Sequence, residues 1–451
     1  MARFRMGFVV ELLTLPVVAL VLPGLAHATD GGAAPQAQVA GRTAIAGEAG
    51  TVEGMVLARG SRQGAKGRQV FMKGRAPVTI RDGGFSFANV ASPYDVTIAE
   101  PIGDTISIYQ GLTRRDPVLW FHTGYTSASH DSPHQATIHG ILRGDFPFPV
   151  DRNHGVTVHF LSDRAQSFWR ADPPEQHTNS AGPRFGRMRV SWEGAPTMPG
   201  QLVAVGQHAV DKKKWVDAYV GRAPLTLTAG QEAIQEVTMQ PVAIGRIAGS
   251  VSIDNKDMVR EIGFGYQLPG MSGRVGLGTC PVYKTFDCEL PDLSALGGEY
   301  CAFISYSFIY DRGHGQTTRC GGKLGMTDFS FRVGPPPNLK QKDKPATMTS
   351  DGTLSWTDAD KGVYMVTLAS EPRKRRLPHI TVFTSATSIH WPDFEALGSK
   401  FPVGAKYTCQ VTRLSPYESV DDLASPRGFT QTADFQKVES LPLELTLVQR
   451  P

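Results

Sequence analysis

The sequence is short of cysteine, of net charge and of long apolar runs. It has 451 residues, five cysteines and a formal charge of +4. So small a net charge gathers no polyanion from a distance, and no nucleic-acid partner is expected. Beyond the first 28 residues no apolar stretch approaches the ~18 residues that a membrane helix needs, so no transmembrane span is expected past that point. No G-x-S-x-G elbow, H-E-x-x-H helix, G-x-x-x-x-G-K-[ST] loop or strand–G-x-G-x-x-G–helix unit occurs. No catalytic residue, cofactor or metal ion is therefore expected. Asn-x-Ser/Thr sites are missing too, which fits a bacterial source. Long amphipathic helical patterns do not occur.

What is present is glycine, proline and side chains that alternate. The 48 glycines and 32 prolines suit many short strands joined by turns, and an apolar content of 41% lets each domain bury a core. Residues 1–28 read as a signal peptide. Arg3 and Arg5 form the basic start, Phe8 to Leu25 the apolar centre and Ala26-His27-Ala28 the cleavage signal. Glu11 and Pro16 inside the apolar run speak against an uncleaved anchor. Residues 29–48, rich in Ala and Gly, read as a disordered leader. The expected location is extracytoplasmic: periplasm, cell surface or medium.

In such an oxidising compartment Cys280, Cys288, Cys301 and Cys320 imply two disulfides, with three connectivities open. Cys280–Cys288 with Cys301–Cys320 is the favoured pairing. A four-thiolate zinc site is the alternative, although no C-x-x-C pair occurs. Cys409 stands apart.

The stretch Val78 to Pro101, VTIRDGGFSFANVASPYDVTIAEP, carries the clearest pattern. Val78 and Ile80 alternate with Thr79 and Arg81. Asp82-Gly83 supplies a tight turn, and Phe85 and Phe87 then share one face. Tyr94, Val96 and Ile98 form another alternating set. Together with the G-x-V opening at Gly54 and with Asn89 and Val90, this resembles the carboxypeptidase regulatory-like, or transthyretin-like, domain family. The resemblance implies an accessory β-sandwich with no active site. The opening recurs at Gly140 and Gly249, as in diverged copies of one sandwich. Leu354, Trp356, Phe401, Gly404 and Tyr407 resemble the core and tyrosine corner of a fibronectin type III domain.

The expected architecture is all-β: tandem Ig-like or transthyretin-like β-sandwiches with a C-terminal fibronectin type III-like sandwich. The expected domains are 49–123, 135–243 and 244–333. A Pro/Lys linker, 334–347, then leads to 348–451. Three consecutive prolines in that linker predict a stiff spacer.

Other residues were weighed for chemistry. His122, His130, His134, His139, His154 and His159 crowd one interval, but Pro133 and small polar neighbours make a solvated loop the simpler reading. Asp254, Asn255 and Asp257, and again Asp358 and Asp360, offer oxygen ligands without an EF-hand pattern, and read as surface turns. Arg373 to Arg376 reads as a basic hairpin tip. Trp169, Trp192, Trp215 and Tyr219 would serve a glycan if exposed, although core packing is the simpler reading for each. The expected function is non-enzymatic binding or scaffolding at the cell envelope, with a protein or glycan as partner. The alternatives are a carbohydrate-binding or adhesion protein and a secreted hydrolase with accessory β-domains. The hydrolase would need paired carboxylates whose spacing exists only in the fold.

Overall fold

The structure, a computed structural model, describes residues 48–58, 67–100, 105–121, 134–145, 154–163, 166–171, 178–179, 182–192, 195–210, 214–253, 261–271, 273–307, 313–339, 346–349, 352–370, 377–390, 404–425 and 435–448. The signal segment and all but Glu48 of the leader lie outside these residues. So do His122, His130, Asp254, Asn255, Asp257, Phe401 and Arg373 to Arg376.

The chain is all-β, built of sheets packed face to face around apolar cores. Strands dominate because alternating side chains divide between a buried face and a wet one: Gly84–Ala91 buries Phe85, Phe87 and Val90 and exposes the residues between.

Three stretches share one arrangement. Each begins with a strand flanked by an antiparallel neighbour on one side and a parallel one on the other. Ala49–Ala58 lies between Gly84–Ala91 and Val118–Phe121. His134–Gly144 lies between Gly182–Trp192 and Glu232–Val242. Ile244–Ile253 lies between Thr285–Pro291 and Phe331–Val333. The recurring glycine has the same neighbour each time: Gly54 faces Phe85, Gly140 faces Phe185 and Gly249 faces Phe286 across the antiparallel ladder. A Cβ on Gly54 would lie 2.2 Å from the Phe85 ring, and one on Gly140 would lie 1.8 Å from the Gln235 carbonyl oxygen. The ring covers the bare backbone, and only glycine leaves room for it.

The tight turn expected at Asp82-Gly83 does not join two paired strands. Val78–Thr79 pairs with Gln69–Phe71, whereas Gly84–Ala91 pairs with Ala49–Ala58. Gly83, at φ 89°, turns the chain from one sheet to the other instead of closing two neighbours in the same sheet. Asn89, at φ 55°, sits where Ala88 and Asn89 face the single residue Thr51, a bulge that an L-residue other than Asn or Asp rarely adopts.

The last stretch joins its neighbours edge to edge. His379–Thr384 pairs in parallel with Thr105–Leu112 of the first stretch, and Phe435–Ser440 pairs antiparallel with Gly313–Gly322 of the third. One sheet therefore runs through all three. Of the expected linker, 334–347, residues 334–339 and 346–347 are described. Asn338–Leu339 forms a short strand against Thr353–Thr357, and Gly334 packs on the Asp360 carboxylate, where a Cβ would lie 1.9 Å from Oδ2.

Candidate functional site

The cysteines fall in the third stretch. Cys280 and Cys288 are joined, linking the strand Arg274–Pro281 to Thr285–Pro291 in the facing sheet. Cys301 and Cys320 are joined across the neighbouring strands Glu299–Ser307 and Gly313–Gly322. Gly321 bulges there at φ 85°, so that Cys301 meets Cys320. The Glu299 carboxylate lies within 4.8 Å of both sulfurs. With each sulfur bonded to the other, neither is a thiolate able to bind zinc. Cys409 is free, fully buried, and its thiol is pushed up to about 12 by burial. It is a packing residue.

The loop enclosed by Cys280 and Cys288 carries the most exposed large apolar side chain among the described residues, Tyr283 at 88%, while its neighbour Val282 is buried. The sequence signal for this loop was the seven residues enclosed between two cysteines, PVYKTFD.

Asp358 and Asp360 are not a surface turn. The Asp358 side chain is wholly buried and forms an ion pair with Arg413, itself fully buried; Arg413 Nη2 also lies 3.1 Å from Asp360 Oδ2. Arg332 reaches Asp360 at 3.3 Å. Burial pushes the Asp358 carboxyl above its ordinary range, and the Arg413 guanidinium pulls it back down in part. The partner lies 55 residues away in sequence, so local spacing could not reveal it. A second charged group joins the third and last stretches: Glu439, 7% exposed, contacts His314 and Lys437. Burial raises its carboxyl, but the His314 and Lys437 contacts prevail and hold it at about 2.

The described histidines stand apart from one another. His134 lies against the Trp192 ring at 5.8 Å, and His139 Nδ1 lies 3.8 Å from Glu232. His159 is buried where the second stretch meets the third, and its Nε2 accepts the Gly276 N–H at 3.3 Å. Burial lowers its pKa to about 4, so the ring is neutral at pH 7.

Of the aromatic side chains weighed for glycan binding, Trp192 is 2% exposed, with Nε1–H donated to the Ala195 carbonyl, and Tyr219 packs against the same core. The side chains of Trp169 and Trp215 lie outside the described residues. A polar cavity of ≈ 400 Å³ is lined by Thr51, Glu53, Arg115 and Asp116. Arg115 is engaged there as a brace, donating to the Val90 carbonyl at 2.7 Å and the Glu48 carbonyl at 2.6 Å. Among the described residues no helix is long and apolar enough to cross a membrane.

No family model matches the chain, and no curated protein matches it. Solved structures with some likeness include a leucine-rich repeat protein from Bacteroides thetaiotaomicron, 12% identical, with 44% of this chain and 26% of that one covered at a TM-score of 0.16. The chain thus spans about a quarter of that protein's length. A candidate cell adhesion protein from Bacteroides fragilis is 8% identical over 50% of this chain and 98% of its own, with a TM-score of 0.16. BcpA, the major pilin subunit of Bacillus cereus, is 10% identical over 63% and 99%, with a TM-score of 0.12. Scores of this size carry no argument about function.

Proposed function

We propose that the chain is an exported, non-enzymatic binding and scaffold protein of the bacterial cell envelope, with a protein or glycan partner. The observation that carries this reading is the repeated glycine-under-phenylalanine strand, used three times and then tied through one sheet to the last stretch. Repetition of one sandwich puts connecting loops at the surface of each copy, an arrangement that displays them to a partner. On this reading 49–123, 135–243 and 244–333 are carboxypeptidase regulatory-like sandwiches and 348–451 is a fibronectin type III-like one. The connection is 334–347, and residues 1–48 are the leader that export removes or leaves loose.

The two cysteine pairings support an oxidising compartment. The test is fractionation of cells expressing the full chain, followed by thiol labelling of the denatured protein without reductant. Recovery outside the cytoplasm, cleaved near Ala28, with Cys409 alone labelled is the expected result. Cytoplasmic recovery with five labelled thiols would overturn the proposal.

A further inference from the structure

The outer face of the second stretch carries an unbalanced set of charges. The outward positions of His134–Gly144 and Gly182–Trp192 hold Arg143, Arg184, Arg187, Arg189 and His139, and no acidic residue, whereas His134 lies on the inner side against Trp192. The adjoining strand Glu232–Val242 adds Glu232 and Glu236. Arg184, Arg187 and Arg189 all point to solvent because the strand bulges between Phe185 and Met188. Gly186 and Arg187 there oppose the single residue His139, so the outward row resumes after a shift of one. Both glutamates are already engaged: Arg143 Nη2 lies 2.7 Å from Glu236 and Arg187 lies 3.4 Å from Glu232. These pairs are at least half exposed, so a competing carboxylate can displace them at little cost. Beside them Ile234 is 72% exposed. The face is open sheet, with strands about 4.8 Å apart and alternate residues about 7 Å apart along each strand. Such a grid suits an extended chain of repeated charges better than a small anion.

We infer that this face binds an acidic polysaccharide, its carboxylates meeting Arg184, Arg187 and Arg189 through paired guanidinium contacts. The inference rests on the envelope-binding reading for its setting, but its test does not. Purified protein is titrated with polygalacturonate, with neutral dextran and with anionic phospholipid vesicles at low and at physiological salt. The expected result is binding to polygalacturonate alone, weakening as salt rises. Reversal of Arg184→Glu, Arg187→Glu and Arg189→Glu together should weaken it on the order of tenfold. The same charge change placed elsewhere, Lys73→Glu, Arg81→Glu and Lys406→Glu, should leave affinity within about twofold, since those side chains are exposed on other segments. Should the triple variant fail to fold, Arg184→Gln alone should still weaken binding by roughly threefold. Absence of polygalacturonate binding at low salt, equal losses in both triple variants, or binding to vesicles instead would each overturn the inference. None of these outcomes bears on whether the chain is exported.

Discussion

Where His379–Thr384 meets the first stretch, the contact is made by side chains that avoid water. Tyr109 stacks on Phe383 with ring centroids 4.7 Å apart, and Val363, Leu414, Tyr417, Val420 and Leu423 enter the core that also holds Val52, Phe85 and Ile98. One charge guides the fit: the Asp421 carboxylate accepts the N–H groups of Thr113 and Arg114 at 2.9 and 3.0 Å. Where Phe435–Ser440 meets the third stretch, the contact is mostly charged and polar. His314 meets Glu439, Arg332 meets Asp360, and Gln436 donates to Thr317 Oγ1 at 3.0 Å. The first seam resists unfolding by apolar area, which salt does not weaken. The second depends on placed charges, which fix a geometry more than they add stability. The same sandwich thus holds one neighbour by burial and the other by register.

The sharpest way to break this contrast is at the buried ion cluster. Arg413→Ala strips the enclosed Asp358 carboxyl of its counter-charge, and should destabilise the last stretch by about 3–5 kcal/mol, read as the first transition in chemical unfolding. Replacing both partners, Arg413→Met with Asp358→Leu, should recover most of the loss; no recovery would mean that the charges do more than balance each other. On the apolar seam, Leu423→Ala should remove about 2–4 kcal/mol and expose the 49–123 stretch to protease, with little change near the cysteines.

A pH titration separates a third seam from both. His159, between the second and third stretches, has a folded pKa of about 4 against an ordinary 6.5. The unfolded chain therefore binds the proton first as pH falls. The stability that the neutral ring contributes is fully present above pH ~6.5 and is lost as pH drops toward ~4, by about 3 kcal/mol at most. His159→Gln should flatten that slope; an unchanged slope would place the effect elsewhere. A smaller change is expected at the Asp421 contact with Thr113 and Arg114: Asp421→Asn should cost about 1–2 kcal/mol. Raising salt to 1 M should cost the polar seam under about 1 kcal/mol and the apolar seam nothing.

Much of the strand content was legible because alternation is local: Phe85 and Phe87, or Tyr407, Cys409 and Val411, show their faces within five residues. The recurring strand glycine was visible as a repeat, yet its cause was not, since the phenylalanine that covers each glycine comes from a strand 31 to 45 residues later, at a distance that differs in each copy. Asp358 and Asp360 looked like a wet turn for the same reason: polarity suggests exposure until a buried arginine from a distant strand is known to be there. Three consecutive prolines carry no information on the edge pairing of the strands to either side. In the arginine-rich face the composition was local, but the bulge that aligns Arg187 with Arg184 was not.

The parallel ladder between Thr105–Leu112 and His379–Thr384 also decides how the molecule would carry a load. Tension applied between Ala49 and Val448 runs straight across that ladder and its stacked rings, because the first and last parts of the chain are already in contact. The 266 residues between those two strands, 113–378, lie outside that direct path until the ladder shears. The chain stretched between Ala49 and Val448 would then stay short up to a threshold force, and lengthen abruptly once past it.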